Sequence, residues 1–133
     1  MSVLLDTHVW VWWLTPASRL SEAERNALDR LGARGELAIS AISLWEAQML
    51  HAKGRLELPV RFPEWLRRAA SPEVVAVLPL ETEVILALDA LPRGFHGDPA
   101  DRLIVATARV HGLPLATYDS GIRKSRAAKL WKP

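Results

Sequence analysis

The run Val74-Val75-Ala76-Val77-Leu78 is apolar on both faces of an extended chain. A strand with one wet face alternates polar and apolar residues, whereas a strand covered on both sides reads as an unbroken apolar run. The run predicts a central or parallel strand, and a parallel sheet demands crossover connections and helices on both faces. The rest of the chain is patterned to match. Val3–Asp6, Glu36–Ser40 and Leu115–Thr117 read as further short strands, and Lys129-Leu130-Trp131 as a short edge strand. Helices are predicted over His8–Leu14, Ser21 to about Arg34, Ser43 to about Lys53, Phe62–Ala69, Glu81–Leu91 and Pro99–His111, with one more turn at Gly121–Arg126. Ser21-Glu22-Ala23-Glu24 is a capping box, and Gly35, Gly54 and Gly112 are helix stops. Strands alternating with helices imply an α/β fold of βαβ units around a mostly parallel sheet. No linker, repeat or low-complexity tract divides the 133 residues, so residues 1–133 are expected to form a single domain.

Composition removes several classes of function. The chain has no cysteine, so disulfides, thiolate metal sites and cysteine nucleophiles are excluded together. No apolar run approaches the ~20 residues needed to span a bilayer, and the start Met1-Ser2-Val3 lacks a basic leader. A cytoplasmic protein with no membrane role is the default expectation. Net charge is only +2, but Arg123, Lys124, Arg126, Lys129 and Lys132 follow Asp119 with no acid among them. That tail reads either as a phosphate-tracking surface or as an ordinary solvated face. Six tryptophans are expected to lie mostly in the core. Trp10, Trp12 and Trp13 point around one helix at ~100° per residue, so some aromatic surface should stay exposed.

The acids carry the chemistry. Asp6 ends the first strand and Asp119 follows the Leu115–Thr117 strand. Asp98 and Asp101 open the Pro99 helix, and Glu46 lies about one turn into the helix after the second strand. In parallel sheets ligands collect beyond the carboxyl ends of the strands. Acids converging there repel one another and lose solvation unless a cation binds them. Oxygen donors without Cys or His suit Mg²⁺ or Mn²⁺. Each acid also has a plainer role: Asp98 as a helix cap, Asp101 as a first-turn acid, Asp119 as a turn residue, Glu46 as a solvated side chain. Thr7 and Thr117 flank two of the acids and could bond a carboxylate or only their own turns. His8, His96 and His111 read as structural. Arg102 could pair with the acids or touch phosphate.

The segments Leu4-Leu5-Asp6-Thr7-His8, Ile39-Ser40-Ala41-Ile42-Ser43-Leu44-Trp45-Glu46, His96-Gly97-Asp98-Pro99-Ala100-Asp101-Arg102-Leu103-Ile104-Val105-Ala106 and Leu115-Ala116-Thr117-Tyr118-Asp119 resemble, in order, the motifs of PIN-domain proteins. More narrowly they resemble the VapC toxins of VapBC toxin–antitoxin pairs, from Leu4 to Trp131. The resemblance implies a Rossmann-like three-layer α/β/α sandwich with about five strands, and a Mg²⁺- or Mn²⁺-dependent endoribonuclease. It implies that Asp6, Glu46, Asp101 and Asp119 serve as catalytic metal-binding acids, with Asp98 an outer ligand or only a cap. Thr7 and Thr117 would support them, and Arg102, Arg123, Lys124 and Arg126 would hold RNA. A VapB-like antitoxin and a homodimer are the implied partners, with the Trp10–Leu14 segment lining the antitoxin's groove. Thr117-Tyr118-Asp119-Ser120 departs from the family's more usual form in lacking a second acid. The alternative under the same resemblance is an RNA-binding or regulatory module without strong catalysis. A phosphoacceptor receiver domain fits less well, because the first strand carries no Asp-x-Asp pair. No P-loop is present.

Overall fold

The computed structural model describes residues 2–16, 19–95 and 97–133. Four strands form one parallel sheet: β1 (Val3–Leu5), β2 (Leu37–Ser40), β3 (Ala76–Leu78) and β4 (Leu115–Ala116), in spatial order β3-β2-β1-β4. Leu4 sits opposite both Ala38 and Leu115, which fixes the register across the centre. A single parallel bridge from Leu115 to Leu130 extends the far edge, where Lys129-Leu130-Trp131 is predicted. The expected fifth strand is reduced to that bridge.

Side-chain alternation splits the interior into two cores. Val3, Leu5, Leu37, Ile39 and Ala116 face one side, against Val9 and Trp10 of α1 (Thr7–Trp13) and Leu28 of α2 (Glu22–Ala33). Ala47 of α3 (Ile42–Ala52) and Trp65 of α4 (Phe62–Ala69) complete that layer. Leu4, Ala38 and Leu115 face the other side. There they meet Leu88 of α5 (Thr82–Asp89), Ile104, Val105 and Ala108 of α6 (Pro99–His111), and Ile122 of α7 (Ser120–Ser125). The period of two along each strand thus produces the three α/β/α layers. Trp10 anchors the first core fully buried, with its indole N–H donating to the Ala69 carbonyl at 3.0 Å. Burying a ring of that size contributes roughly 4–6 kcal/mol, as an upper bound.

Local signals land where the sequence puts them. The Ser21–Glu24 capping box is closed in both directions. Helix α6 runs from Pro99 to His111 and ends on Gly112 at φ 63°. The Val74–Leu78 run does supply a parallel strand, and its place is the edge of the sheet. Val74-Val75 precede β3, and β3 is an edge strand with Ala76 exposed, parallel but not central. The run is apolar because Val75 plugs the first core beside α4, which needs no sheet neighbour. Of the tryptophans, Trp10 and Trp65 are buried, and Trp13 and Trp131 pack against the core half-buried. Trp45 is 51% exposed. No helix among the described residues is long and apolar enough to cross a membrane.

Candidate active site

The strand order places the site. The chain runs outward from β1 through β2 to β3, then returns to the opposite side of β1 as β4. The crevice beyond the carboxyl ends of β1 and β4 is therefore a topological switch point, where ligands bind in open α/β sheets. Asp6 leaves β1 into this crevice and Thr117 leaves β4 beside it. Asp6 is only 4% exposed, and its backbone N–H donates to the Ala116 carbonyl at 3.0 Å. Its Oδ2 accepts the Thr117 hydroxyl at 2.7 Å. Thr117 Oγ1 in turn accepts the backbone N–H of Asp119 at 3.1 Å, so its single proton points to Asp6.

A second threonine does the same for Glu46. Thr7, buried at the start of α1, donates its hydroxyl to Oε1 of Glu46 on α3. Ser43, also buried, lies 2.7 Å from Thr7 Oγ1. With Thr7's proton committed to Glu46, Ser43 is the donor in that pair. Ser43 was not singled out from sequence. A serine one turn before an acid on a helix is a legible spacing, but its partner comes from another element 36 residues away.

Asp98 and Asp101 enter from the other side. Asp98 is the N-cap of α6, and its Oδ1 accepts the Asp101 amide at 2.8 Å. Asp98 also belongs to a cluster: Glu46, Asp98 and Asp101 each offer an oxygen within 4.8 Å of the others. Cap and cluster member are thus one residue. Among the described residues this trio, which leaves out Asp6 and Asp119, is the tightest grouping of acids. Asp6 lies deeper, and Asp119 is exposed with Oδ1 capping α7 through the Ile122 amide at 2.9 Å. All five acids still feel one field. Burial first, then repulsion from Asp6, Asp98, Asp119 and Glu46, pushes Asp101 up to about 7. Burial raises Glu46 against the opposing Thr7 hydrogen bond, and burial raises Asp6 against that of Thr117. An all-carboxylate donor set held at this electrostatic disadvantage fits a hard divalent cation.

Asp98, Asp101 and Asp119 open onto a cavity of about 510 Å³ that Lys124 and Ser125 of α7 also line. Lys124 is therefore the tail cation that joins the acids. Arg123 instead donates to the Thr117 carbonyl at 3.0 Å, bracing the turn. Arg126 is exposed in left-handed backbone at φ 55°, ending α7. Arg102 is half-buried, and its Nε has no hydrogen-bond partner among the described residues. His8 is exposed beside Trp12, His111 lies at the end of α6, and His96 lies outside the described residues. Gly97 was also missed. A Cβ there would stand 2.7 Å from the Phe95 ring and 3.2 Å from Asp101 Cβ, so only glycine lets α6 begin this close to Phe95.

A three-layer parallel α/β sandwich with acids gathered at the carboxyl ends of its central strands defines a PIN-type protein. The PIN domain family model matches residues 3–127, and the chain belongs to that family. Within it the chain is of VapC type: Ribonuclease VapC22 of Mycobacterium tuberculosis (strain ATCC 25618 / H37Rv) is 41% identical over 125 residues, 94% of this chain and 92% of the relative. Solved structures share the fold. VapBC2 from Rickettsia felis, bound to a DNA fragment from its promoter, superposes with TM-score 0.73 at 18% identity, covering 98% of each chain. FitAB bound to the IR36 DNA fragment gives 0.71 at 24% identity, covering 97% of this chain and 93% of that one.

Proposed function

We propose that this chain is a metal-dependent endoribonuclease, the toxin of a toxin–antitoxin pair. The observation that carries the reading is the convergence of Asp6, Glu46, Asp98 and Asp101 beyond β1 and β2, with Asp119 and Lys124 lining the same open cavity as Asp98 and Asp101. The 41% identity to a protein named as a ribonuclease supports it. Glu46, Asp98 and Asp101 would hold Mg²⁺ or Mn²⁺ directly, with Asp6 and Asp119 reaching it directly or through water. When bound, the ion activates water and neutralises charge on the phosphoryl group. Thr117 and Thr7 hold Asp6 and Glu46 in fixed rotamers, so neither carboxylate must reorganise as the substrate arrives. Lys124, which lines the same cavity, meets the substrate phosphate, and Arg102, Arg123 and Arg126 are the further candidates to hold the RNA backbone. Glu46 would take a proton from the attacking water as the water oxygen bonds to phosphorus and the bond from phosphorus to the 3′-oxygen breaks, with solvent supplying the proton that makes the leaving oxygen a hydroxyl. The products carry 5′-phosphate and 3′-hydroxyl ends.

A VapB-like antitoxin is the proposed regulator. A cleft of about 430 Å³ runs beside the site, lined by His8, Val11, Trp12, Leu50 and Leu56 among others. It suits an extended or helical apolar segment. This narrows the sequence expectation, since Trp10 is committed to the core and only part of Trp10–Leu14 lines the cleft. A homodimer is supported by α5, which leaves Ile85 46% and Leu86 56% exposed. The cytoplasm, where RNA is available, is the proposed location. The reading is tested by RNA cleavage with and without EDTA, and with Asp6→Asn. Both changes should abolish cutting; undiminished cleavage in either overturns the metal mechanism. Light scattering at micromolar concentration should give twice the monomer mass, and a monomer removes the dimer.

A further inference from the structure

Next to the acid cavity is a second recess of about 240 Å³, walled by Asp6, His8, Trp12, Arg19, Tyr118 and Asp119. Half of its wall is ring. The centroids of Trp12 and Tyr118 are 6.1 Å apart with planes at 35°, and those of Trp12 and His8 are 5.8 Å apart at 51°. The guanidinium carbon of Arg19 stands 5.9 Å from the Trp12 centroid. Tyr118 is 42% exposed, and neither it nor Trp12 belongs to either core. The other tryptophans of this region are differently employed. The indole N–H groups of Trp10, Trp13 and Trp65 each reach a protein oxygen. That of Trp12, like the Tyr118 hydroxyl, has no partner among the described residues.

Helical geometry explains the arrangement. Trp10 and Trp12 are ~200° apart around α1, so the turn that plants Trp10 in the core turns Trp12 toward the mouth of the site. Tyr118 lies between Thr117, which holds Asp6, and Asp119, so it is fixed by the same turn that builds the acid cluster. Two rings and a cation thus border Asp6 and Asp119, and the recess shares Asp119 with the acid cavity.

Resting on the ribonuclease reading, we propose that Trp12 and Tyr118 form a stacking platform for one unpaired base adjacent to the scissile phosphate, with Arg19 on that nucleotide's backbone. Every base has a π face, and aromatic or guanidinium planes are the usual partners of splayed single-stranded bases. A base inside a duplex cannot reach the rings, so the platform restricts cutting to loops and single strands. Asp119 lines both the acid cavity and this recess, so a phosphate held in the cavity would bring its neighbouring base to the rings. The antitoxin cleft shares His8 and Trp12 with this recess but not Tyr118, Asp6 or Asp119, so Tyr118 tells a base contact from a peptide contact.

The test begins with mapping the cuts that the wild-type chain makes in a randomised single-stranded RNA pool with Mg²⁺. 2-Aminopurine is then placed at each position flanking a mapped cut, and its emission is read on binding to the Asp101→Asn chain. One position should be quenched. Tyr118→Ala, a change at an exposed ring, should abolish that quenching and raise KM about tenfold or more with kcat little changed, on the scale of one lost stack. Tyr118→Phe should retain both, and Trp12→Leu should behave as Tyr118→Ala. An abasic residue at the quenched position should raise the wild-type KM and make it insensitive to Tyr118→Ala. Wild-type cleavage with no quenched position, and a KM within twofold for Tyr118→Ala, overturns the platform and leaves the ribonuclease reading standing. Loss of antitoxin inhibition in Tyr118→Ala with KM unchanged also overturns it, in favour of a peptide contact. Failure of the wild type to cut any RNA overturns both.

Discussion

Thr117 donates its hydroxyl to Oδ2 of Asp6 at 2.7 Å, joining residues 111 apart in sequence at the ends of neighbouring strands. The bond is short, points at an acid that is 4% exposed, and opposes the burial that raises that acid. A hydrogen bond to a charged group contributes about 1.5–3 kcal/mol, more than an ordinary one. Thr117→Val keeps the shape and removes the donor. It should reduce cleavage roughly tenfold to a hundredfold and weaken Mg²⁺ binding measured by calorimetry, while Thr117→Ser stays within about threefold of wild type. Equal losses in both variants would show that the methyl packing matters and the hydroxyl does not.

Asp98 and Asp101 are separable because they do different backbone work. Asp98 accepts the Asp101 amide, and asparagine accepts it equally well. Asp101 caps nothing, so its carboxylate serves the cluster alone. Asp101→Asn should abolish activity with the thermal midpoint unchanged or raised, since a repelled acid is removed. Asp98→Asn should keep the fold and a measurable fraction of activity. Asp98→Ala should lose about 1 kcal/mol of stability as well, the usual value of an N-cap. Equal activity losses in Asp98→Asn and Asp101→Asn would mean that Asp98's carboxylate is as necessary to the cation as that of Asp101.

What sequence carried and what it did not divides along physical lines. Ser21–Glu24, Pro99 and Gly112 act within one turn of the chain, and the helices they bound fall as read. Asp6 and Asp119 were legible as acids at strand ends, Asp101 as a first-turn acid and Glu46 as an acid about one turn into its helix. The position of β3 was not legible, because an unbroken apolar run is required both of a central strand and of a segment like Val75 that plugs a core from the sheet edge. Nor were Ser43 and Gly97. Their roles depend on Thr7 and Phe95 arriving from other segments, and neither residue type carries a distinguishing signal on its own. Asp98 was readable both as a cap and as an outer ligand; the local pattern could not choose between them because Glu46 comes to it from another helix.

Gly97 tests the site without touching any ligand. An added Cβ would meet the buried Phe95 ring at 2.7 Å, and the ring cannot retreat into the packed second core. The backbone must shift instead, and Asp101 Cβ at 3.2 Å moves with it. Gly97→Ala should lower kcat by about tenfold or more, since small displacements of catalytic groups are costly, and should weaken Mg²⁺ binding. The double variant Gly97→Ala with Phe95→Leu, which removes the ring, should recover part of both. No loss in the single variant would show that this turn is free to move.

The acids also set how stability depends on pH when no metal is bound. Asp101 sits at about 7 in the folded chain, against 3.8 for an ordinary aspartate. Below about 4 it is protonated both folded and unfolded, and its burial carries no ionisation penalty. As pH rises toward 7 the unfolded chain releases the proton and the folded chain holds it, so stability falls through that window and levels off above it. Glu46 and Asp6 are raised as well and act in the same direction. In EDTA, the melting temperature of the wild type relative to Asp101→Asn should therefore drop between pH 5 and pH 8. Added Mg²⁺ should recover much of that loss at pH 8 and little at pH 5, where the ligands are still protonated. A wild type that gains stability across this range as steeply as Asp101→Asn does would mean that Asp101 ionises like a solvated aspartate, and the acids would then need no cation to coexist.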